Sequence, residues 1–182
     1  MALKLLGISG SLRIQSCNTG LLRAAQKSLS EDITLGIANL SDIPFYNADI
    51  NSKPNAVSRV LEQMQEADAF VFACPEYNYS IAPALKNILD WASREPYNAL
   101  LSNKAVAIIG AGGSMGTSRA QYHVRQVCVF LNMHPLNKPE VFCNAYAGGF
   151  DTDGNLTDAI ISQLVVDQMH ALVAWIKTIK GF

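Results

Sequence analysis

The sequence predicts a doubly wound α/β fold with three layers, in which helices cover both faces of a five-stranded parallel sheet. Apolar runs of strand length alternate with segments of helical periodicity along the chain. Continuous apolar runs are typical of parallel strands buried on both faces. Strands are predicted at 3–9, 33–38, 69–74, 105–109 and, more weakly, 141–143, and helices at 18–30, 55–67, 83–94, 117–132 and 157–180. Because Ile33, Leu35 and Ile37 alternate with less apolar residues, the second strand is expected at a sheet edge.

Length and composition indicate one globular domain over residues 1–182. Hydrophobic residues make up 49% of the chain, charged residues 16%, and the net charge is −1. Without a basic excess, we expect no nucleic-acid partner. The first residues lack the cleavage pattern of a secretory signal, so we expect a cytoplasmic protein. The most apolar segment, 160–179, is interrupted by polar residues, and we therefore expect no membrane insertion.

The cysteines and histidines indicate neither a metal site nor a disulfide framework. No CxxC motif is present, and free cysteines are commonly buried apolar residues, so reduced thiols are expected. The histidines do not stand at metal-ligand spacing from carboxylates, and no HExxH motif is present. Residues 7–11 also lack the glycine spacing of the GxSxG motif of serine hydrolases.

The loop at residues 10–18 follows the first predicted strand and has the residue types of an anion site. Ser11, Ser16, Arg13 and Asn18 supply hydroxyls, a guanidinium and an amide where a helix begins. The alternative is a serine-rich turn with Asn18 as a helix cap. The loop has neither the lysine of a P-loop nor the glycines of GxGxxG, so a mononucleotide phosphate fits it better than a dinucleotide.

Two further loops follow the third and fourth predicted strands. Residues 75–83 offer tyrosine rings and amides, which suit a flat heteroaromatic ring, although a proline-bounded turn with surface tyrosines is the alternative. Residues 110–117 contain four glycines, which allow close approach of a ligand to the backbone or simply make a turn. Since Met115 replaces the third glycine of GxGxxG, a dinucleotide site is a poor match.

Together these segments resemble the NADPH-dependent FMN reductase family, and most closely its quinone and chromate reductase branch. The resemblance spans residues 3–145 and rests on three motifs in the expected order. They are Gly7-Ile8-Ser9-Gly10-Ser11-Leu12-Arg13 with Ser16 and Asn18, then Pro75-Glu76-Tyr77-Asn78 with Leu85-Lys86-Asn87-Ile88-Leu89-Asp90-Trp91, and finally Gly112-Gly113 with Gly116 and Arg119-Ala120-Gln121.

This resemblance implies a flavodoxin-like fold, bound FMN, hydride uptake from NADPH or NADH, and electron delivery to small acceptors. Those acceptors are quinones, chromate, azo compounds or free flavin, and the family's usual assembly is a homodimer or homotetramer. FMN would carry the chemistry, so no catalytic side chain is assigned. The matching phosphate positions are Ser11, Arg13, Ser16 and Asn18, and the matching ring positions are Pro75, Glu76, Tyr77, Asn78, Gly113 and Ser114.

Some alternatives stay open at the level of sequence. Many family members have Pro-Gly where this chain has Ala82-Pro83-Ala84, which leaves acceptor preference undefined. A flavodoxin-type electron carrier is the rival function, although the net charge of −1 differs from the acidic character of such carriers. A third possibility is a protein that kept the fold and lost the ligand. The last helix has a broad apolar arc, which fits a core helix or a subunit interface equally well.

Overall fold

A computed structural model describes residues 2–181 and confirms the α/β architecture. The strands are β1 (Leu3–Ser9), β2 (Ile33–Ile37), β3 (Ala69–Ala73), β4 (Glu76–Tyr77), β5 (Ser80–Ile81), β6 (Ala105–Gly112), β7 (His134–Pro135) and β8 (Val141–Asn144). The α-helices are α1 (Cys17–Ser28), α2 (Asn55–Glu66), α3 (Pro83–Ala92), α4 (Ser118–Phe130) and α5 (Ala159–Lys180), with a 3₁₀ turn at Pro96–Asn98.

The central sheet is parallel throughout and has the order β2-β1-β3-β6, with β7 and β8 sharing the outer edge of β6. β7 pairs with the start of β6 and β8 with its end, so two short strands fill the fifth position that the sequence assigns to one. The expected edge position of β2 is confirmed. β1 lies between β2 and β3, so the chain places β2 on one side of β1 and then crosses to the other side to form β3. This is the topology of flavodoxin-like sheets.

Two apolar cores lie on opposite faces of this sheet. One packs α2, α3 and α4 against residues such as Phe70 and Phe72 of β3. The other packs α1 and α5 against Val71 of the same strand and Ile109 of β6. Neighbouring residues of β3 therefore face different layers, which explains why its sequence is apolar without interruption.

Helix α5 packs one face on the sheet. By length and composition alone it is apolar enough to span a membrane. Its inner face, however, is buried on the sheet, and the Gln168 side chain donates hydrogen bonds to the carbonyls of Ile108 and Pro139 at 3.1 and 2.9 Å. Within residues 2–181, Ile160 is its one large apolar residue that is strongly exposed, so the chain's own core covers at least part of the apolar arc.

Gly20 is the point at which α1 and the loop before α5 approach most closely. A Cβ atom added to Gly20 would lie 1.8 Å from the carbonyl oxygen of Gly154. We expect Gly20→Ala to lower the free energy of unfolding by about 1–3 kcal/mol, because backbone must move to relieve the clash. Urea denaturation measures this loss. Gly36→Ala is the control, since its added atom would lie 3.8 Å from Leu6; equal midpoints for the two variants would contradict the prediction.

Candidate functional site

The three loops singled out in the sequence meet at one cleft beyond the carboxyl ends of β1, β3 and β6. This is the switch point of the sheet, where ligands of doubly wound proteins bind. The cleft has a volume of about 130 Å³ and is open to solvent, so it can bind part of a ligand but cannot enclose a whole flavin. It is lined by Ser11, Arg13, Ser16, Cys17, Asn18, Pro75, Glu76, Tyr77, Ala111, Gly112, Gly113, Ala145 and Tyr146.

The first loop delivers the N-terminus of α1 to the cleft. Ser16 caps this helix, since its Oγ accepts a hydrogen bond from the N–H of Thr19 at 3.2 Å. The alternative that Asn18 is the helix cap is therefore wrong. The hydroxyl proton of Ser16 remains available for donation to a ligand. The backbone N–H groups of Cys17 and Asn18 belong to the first helical turn, where the helix itself supplies no acceptors.

A small network of hydroxyls shapes the same loop. Ser9 Oγ accepts hydrogen bonds from the N–H of Ser11 and the hydroxyl of Thr19, both at 3.2 Å. Ser11 Oγ in turn accepts from the N–H of Arg13 at 3.4 Å. These bonds fold the loop back towards α1, so that the side chains of Ser11 and Arg13 line the cleft together.

Among residues 2–181, Arg13 is the one cationic side chain that lines the cleft. Within residues 2–181 its guanidinium has neither an ion pair nor a hydrogen-bond partner, and the residue is exposed. An arginine fork beside a helix N-terminus and two serine hydroxyls matches the oxygens and the charge of a phosphate group. The donor set therefore fits the phosphate of FMN.

Asn18 lies at the cleft, but its side chain serves the fold. Its Nδ2 donates to the carbonyl of Ala111 at 2.8 Å, and its Oδ1 accepts from the N–H of the same residue at 3.0 Å. These paired bonds, which we call the Asn18–Ala111 link, join the first loop to β6. The link uses one of the two N–H donors of the Asn18 amide, so the second amide N–H and the backbone N–H are left for a phosphate.

The second loop forms a tight hairpin from β4 and β5, which the sequence analysis did not predict because each strand has only two residues. Pro75, Glu76 and Tyr77 line the cleft, whereas Asn78 lies at the hairpin turn, outside the cleft lining. Arg119 Nε donates to the Glu76 carboxylate at 2.7 Å, and this hydrogen bond raises the pKa of Arg119 above its ordinary value. Because its charge is paired, Glu76 offers the cleft mainly its backbone.

The glycines of the third loop have different roles. A Cβ atom on Gly110 would lie 2.0 Å from Thr117 Oγ1. Gly116 has a φ of +57°, and a Cβ atom on it would lie 2.7 Å from Phe142. Both glycines are therefore required by the fold. Gly113 lines the cleft, and the corresponding position on it has nothing within 4 Å, so this residue leaves room for a ligand. Ser114 is exposed and lies outside the cleft lining.

Some lining residues were missed by the sequence analysis. Ala145 and Tyr146 follow β8 and reach the cleft because the N–H of Ala145 bonds to the carbonyl of Gly112 at 2.8 Å. The usable signal was their position after a predicted strand, since all parallel strands end at the same edge. Cys17 was noted only as a thiol, although it stands at the first helical position beside Ser16.

The buried thiols are unsuited to chemistry at neutral pH. Burial raises the pKa of Cys74 and of Cys128 to about 12 and that of Cys143 to about 11, so these side chains stay protonated. Across residues 2–181, no three histidine, cysteine or acidic side chains converge as a metal site would require. Among the groups lining the cleft, the donor set around Arg13 is what remains to bind a ligand.

Comparison with known proteins identifies the protein family of this chain. Residues 3–148 match the NADPH-dependent FMN reductase family. The chain belongs to this family. An NAD(P)H-dependent FMN reductase of Pseudomonas aeruginosa is 47% identical, with 98% of each chain covered. A quinone reductase of Escherichia coli is 33% identical, with 98% of this chain and 97% of that one covered.

Solved structures give the same result. The flavoenzyme NAD(P)H:(acceptor) oxidoreductase FerB of Paracoccus denitrificans superposes with a TM-score of 0.86 at 28% identity, covering 97% of this chain and 98% of that one. The predicted flavodoxin-like fold is thereby confirmed. The predicted enzyme class is confirmed as well, with FMN as cofactor and NAD(P)H as co-substrate.

Cys17 provides a chemical probe of the cleft. It is partly exposed, whereas the other cysteines are buried and protonated, so iodoacetamide should alkylate one thiol of the four in the folded protein. FMN should slow this alkylation, because its phosphate would cover the start of α1. Mass spectrometry of the labelled peptides measures both effects, with Cys17→Ser as the unlabelled control. Equal labelling rates with and without saturating FMN would contradict the expected position of the phosphate.

Proposed function

We propose that the chain catalyses two-electron transfer from NAD(P)H through bound FMN to quinones. The observation that carries this proposal is the cleft itself, which is lined by Arg13, the first turn of α1 and Gly113. Within residues 2–181 the Arg13 guanidinium has no ion pair, and a Cβ atom on Gly113 would meet nothing within 4 Å. Family membership and relatives named quinone reductases support it.

The residues divide into a phosphate group and a ring group. Ser11, Arg13, Ser16 and the N–H of Asn18 hold the phosphate of FMN. The isoalloxazine ring lies against the backbone and side chains of the second loop and beside the glycine loop. The ring residues that line the cleft are Pro75, Glu76, Tyr77 and Gly113, and Tyr146 joins them from the loop after β8. Asn78 and Ser114, which lie outside this lining in the same two loops, complete the ring group.

The protein's part in the reaction is to bind and orient. Bound FMN supplies the hydride and electron transfer chemistry, and no side chain is required as acid, base or nucleophile. Arg13 and α1 fix the phosphate end, so the loops around Tyr77 and Gly113 set the position of the other end. Because the cleft is open to solvent, a ring bound there would leave room for the nicotinamide and then for a flat acceptor such as a quinone.

Anaerobic reduction tests this function. The FMN-loaded protein is mixed with NADPH or NADH under argon, and rapid bleaching of the flavin absorbance is the expected result. Re-oxidation by a panel of quinones, chromate, azo compounds and free flavin then ranks the acceptors. Absence of bleaching with both nicotinamides would support the rival electron carrier, and colourless protein that fails to bind added FMN would support a fold without its ligand.

We further propose that residues 1–182 act as one cytoplasmic flavin-binding domain that assembles as a homodimer or homotetramer. Helix α5 lies beyond the matched segment and packs on the same sheet, which supports a single domain. The four free cysteines fit a reducing compartment.

Tyr122, Val129 and Phe130 are exposed on α4, which favours this helix over α5 as the subunit interface. Light scattering measures the assembly; a monomeric mass would contradict it.

A further inference from the structure

The hairpin beside the cleft contains a strained turn. Tyr77 pairs with Ser80, and the two residues between them, Asn78 and Tyr79, have φ values of +50° and +68°. Two-residue hairpin turns of this kind favour Asn-Gly, because glycine alone adopts positive φ without steric cost. Tyrosine at the second position is therefore unfavourable in itself, and neighbouring contacts must stabilise it.

Arg119 of α4 makes those contacts. Its guanidinium lies 3.6 Å from the centroid of the Tyr79 ring, a close cation–π stack, although this ring is 67% exposed. The same guanidinium pairs with the nearly buried carboxylate of Glu76, whose other oxygen accepts from the N–H of Ala120 at 3.3 Å. One side chain thus contacts both the first strand of the hairpin and the turn itself.

A second contact joins the hairpin to the same helix. Ser80 Oγ and His123 Nδ1 are 2.9 Å apart, one helical turn beyond Arg119. α4 is itself fixed to β6, because Thr117 at its start is buried and packs where side chains on Gly110 and Gly112 would lie. α4 therefore fixes the position of the hairpin relative to the sheet. The first strand of the hairpin also lines the cleft.

We propose that Arg119 is a positioning residue, which holds the strained Tyr79 turn and so sets the backbone of Glu76 and Tyr77 against the flavin ring. The proposal rests on the proposed function, because it takes the ring to lie against this hairpin. It assigns Arg119 no contact with the reacting atoms. It assigns Tyr79 the role of a flat surface on which the guanidinium rests.

Arg119→Lys weakens the stack more than the ion pair, since lysine keeps a charge for Glu76 and loses the planar fork. In flavin-free protein, hydrogen exchange of the amides of residues 76–81 should be at least threefold faster. In the FMN titration, Kd should rise about three- to tenfold, in line with the loss of a cation–π contact and part of an ion pair. Arg125→Lys, on the same helix and bonded to the carbonyl of Leu136, is the matched control and should change neither value.

A second substitution makes the test specific for strain. Tyr79→Gly creates the favoured Asn-Gly turn, which needs no stacked cation. In the Arg119→Lys background it should restore both the exchange rates and the FMN Kd to within about twofold of the wild-type values. Failure of this rescue would overturn the proposal, because a purely structural role of Arg119 at Glu76 would be unaffected by residue 79.

The two readouts separate this proposal from the proposed function. Hydrogen exchange of the hairpin requires no flavin. If exchange responds as expected and the wild-type protein binds no FMN, the proposed function fails and the control of the turn by Arg119 stands. If exchange accelerates while FMN binds with unchanged Kd, the positioning role is overturned and the flavin site stands.

Discussion

Replacing Arg13 with alanine should weaken FMN binding about ten- to a hundredfold. A charge-assisted hydrogen bond to phosphate contributes on the order of 1.5–3 kcal/mol, and within residues 2–181 this guanidinium has no other partner to satisfy. For the same reason its removal should leave the thermal stability of the flavin-free protein unchanged. Fluorescence titration of FMN measures the affinity, and a melting curve of the flavin-free protein measures the stability.

Arg59→Ala is the matched control for this variant. Arg59 is also exposed, lies on α2 away from the cleft, and has no ion pair within the described part of the chain. It should bind FMN like the wild type, because an isolated surface charge contributes little. Equal affinities for the two variants would refute the assignment of the phosphate to the first loop.

Gly113→Val should reduce FMN affinity roughly five- to a hundredfold while the flavin-free protein remains folded. The backbone of Gly113 does not require positive φ, and an added side chain meets nothing within 4 Å, so the fold accommodates it. The same side chain would occupy the space assigned to the ring, and overpacking of a filled site costs about 1–3 kcal/mol. Titration with FMN and urea denaturation without it give the two values.

A neighbouring glycine provides the contrast. In Gly110→Ala the new atom would lie 2.6 Å from the carbonyl oxygen of Cys74, so this variant should lose stability before any ligand is added. If Gly113→Val unfolds in the same way, the loop is structural throughout. If it binds FMN at wild-type affinity, the ring lies elsewhere.

The sheet was predictable because the apolar pattern of each strand is visible in its own sequence. β3 is buried on both faces, and only an uninterrupted apolar run such as Phe70-Val71-Phe72 satisfies both layers. The cleft followed from topology, since the loops after parallel strands meet at one edge and three of those loops carry unusual residues. The identity of the ligand needed the family resemblance in addition.

The rest of the site depends on contacts between distant residues. Asn18 was assigned to the phosphate through its residue type, and the sequence does not show that its amide also bonds to Ala111, 93 positions away. The partner of Glu76 is Arg119, and a carboxylate in a loop carries no sign of which cation pairs with it. Tyr146 follows a strand of four residues, too short for its pattern to identify the loop as functional.

The Asn18–Ala111 link has a consequence for how the cofactor is taken up. Because two hydrogen bonds already join the walls of the cleft, the protein has little conformational entropy left to lose when a flavin arrives, and binding energy is not spent on assembling the site. We expect the empty and loaded forms to differ little at this link. Because less interaction energy is lost to ordering the protein, the link raises the affinity for the flavin at a given set of contacts.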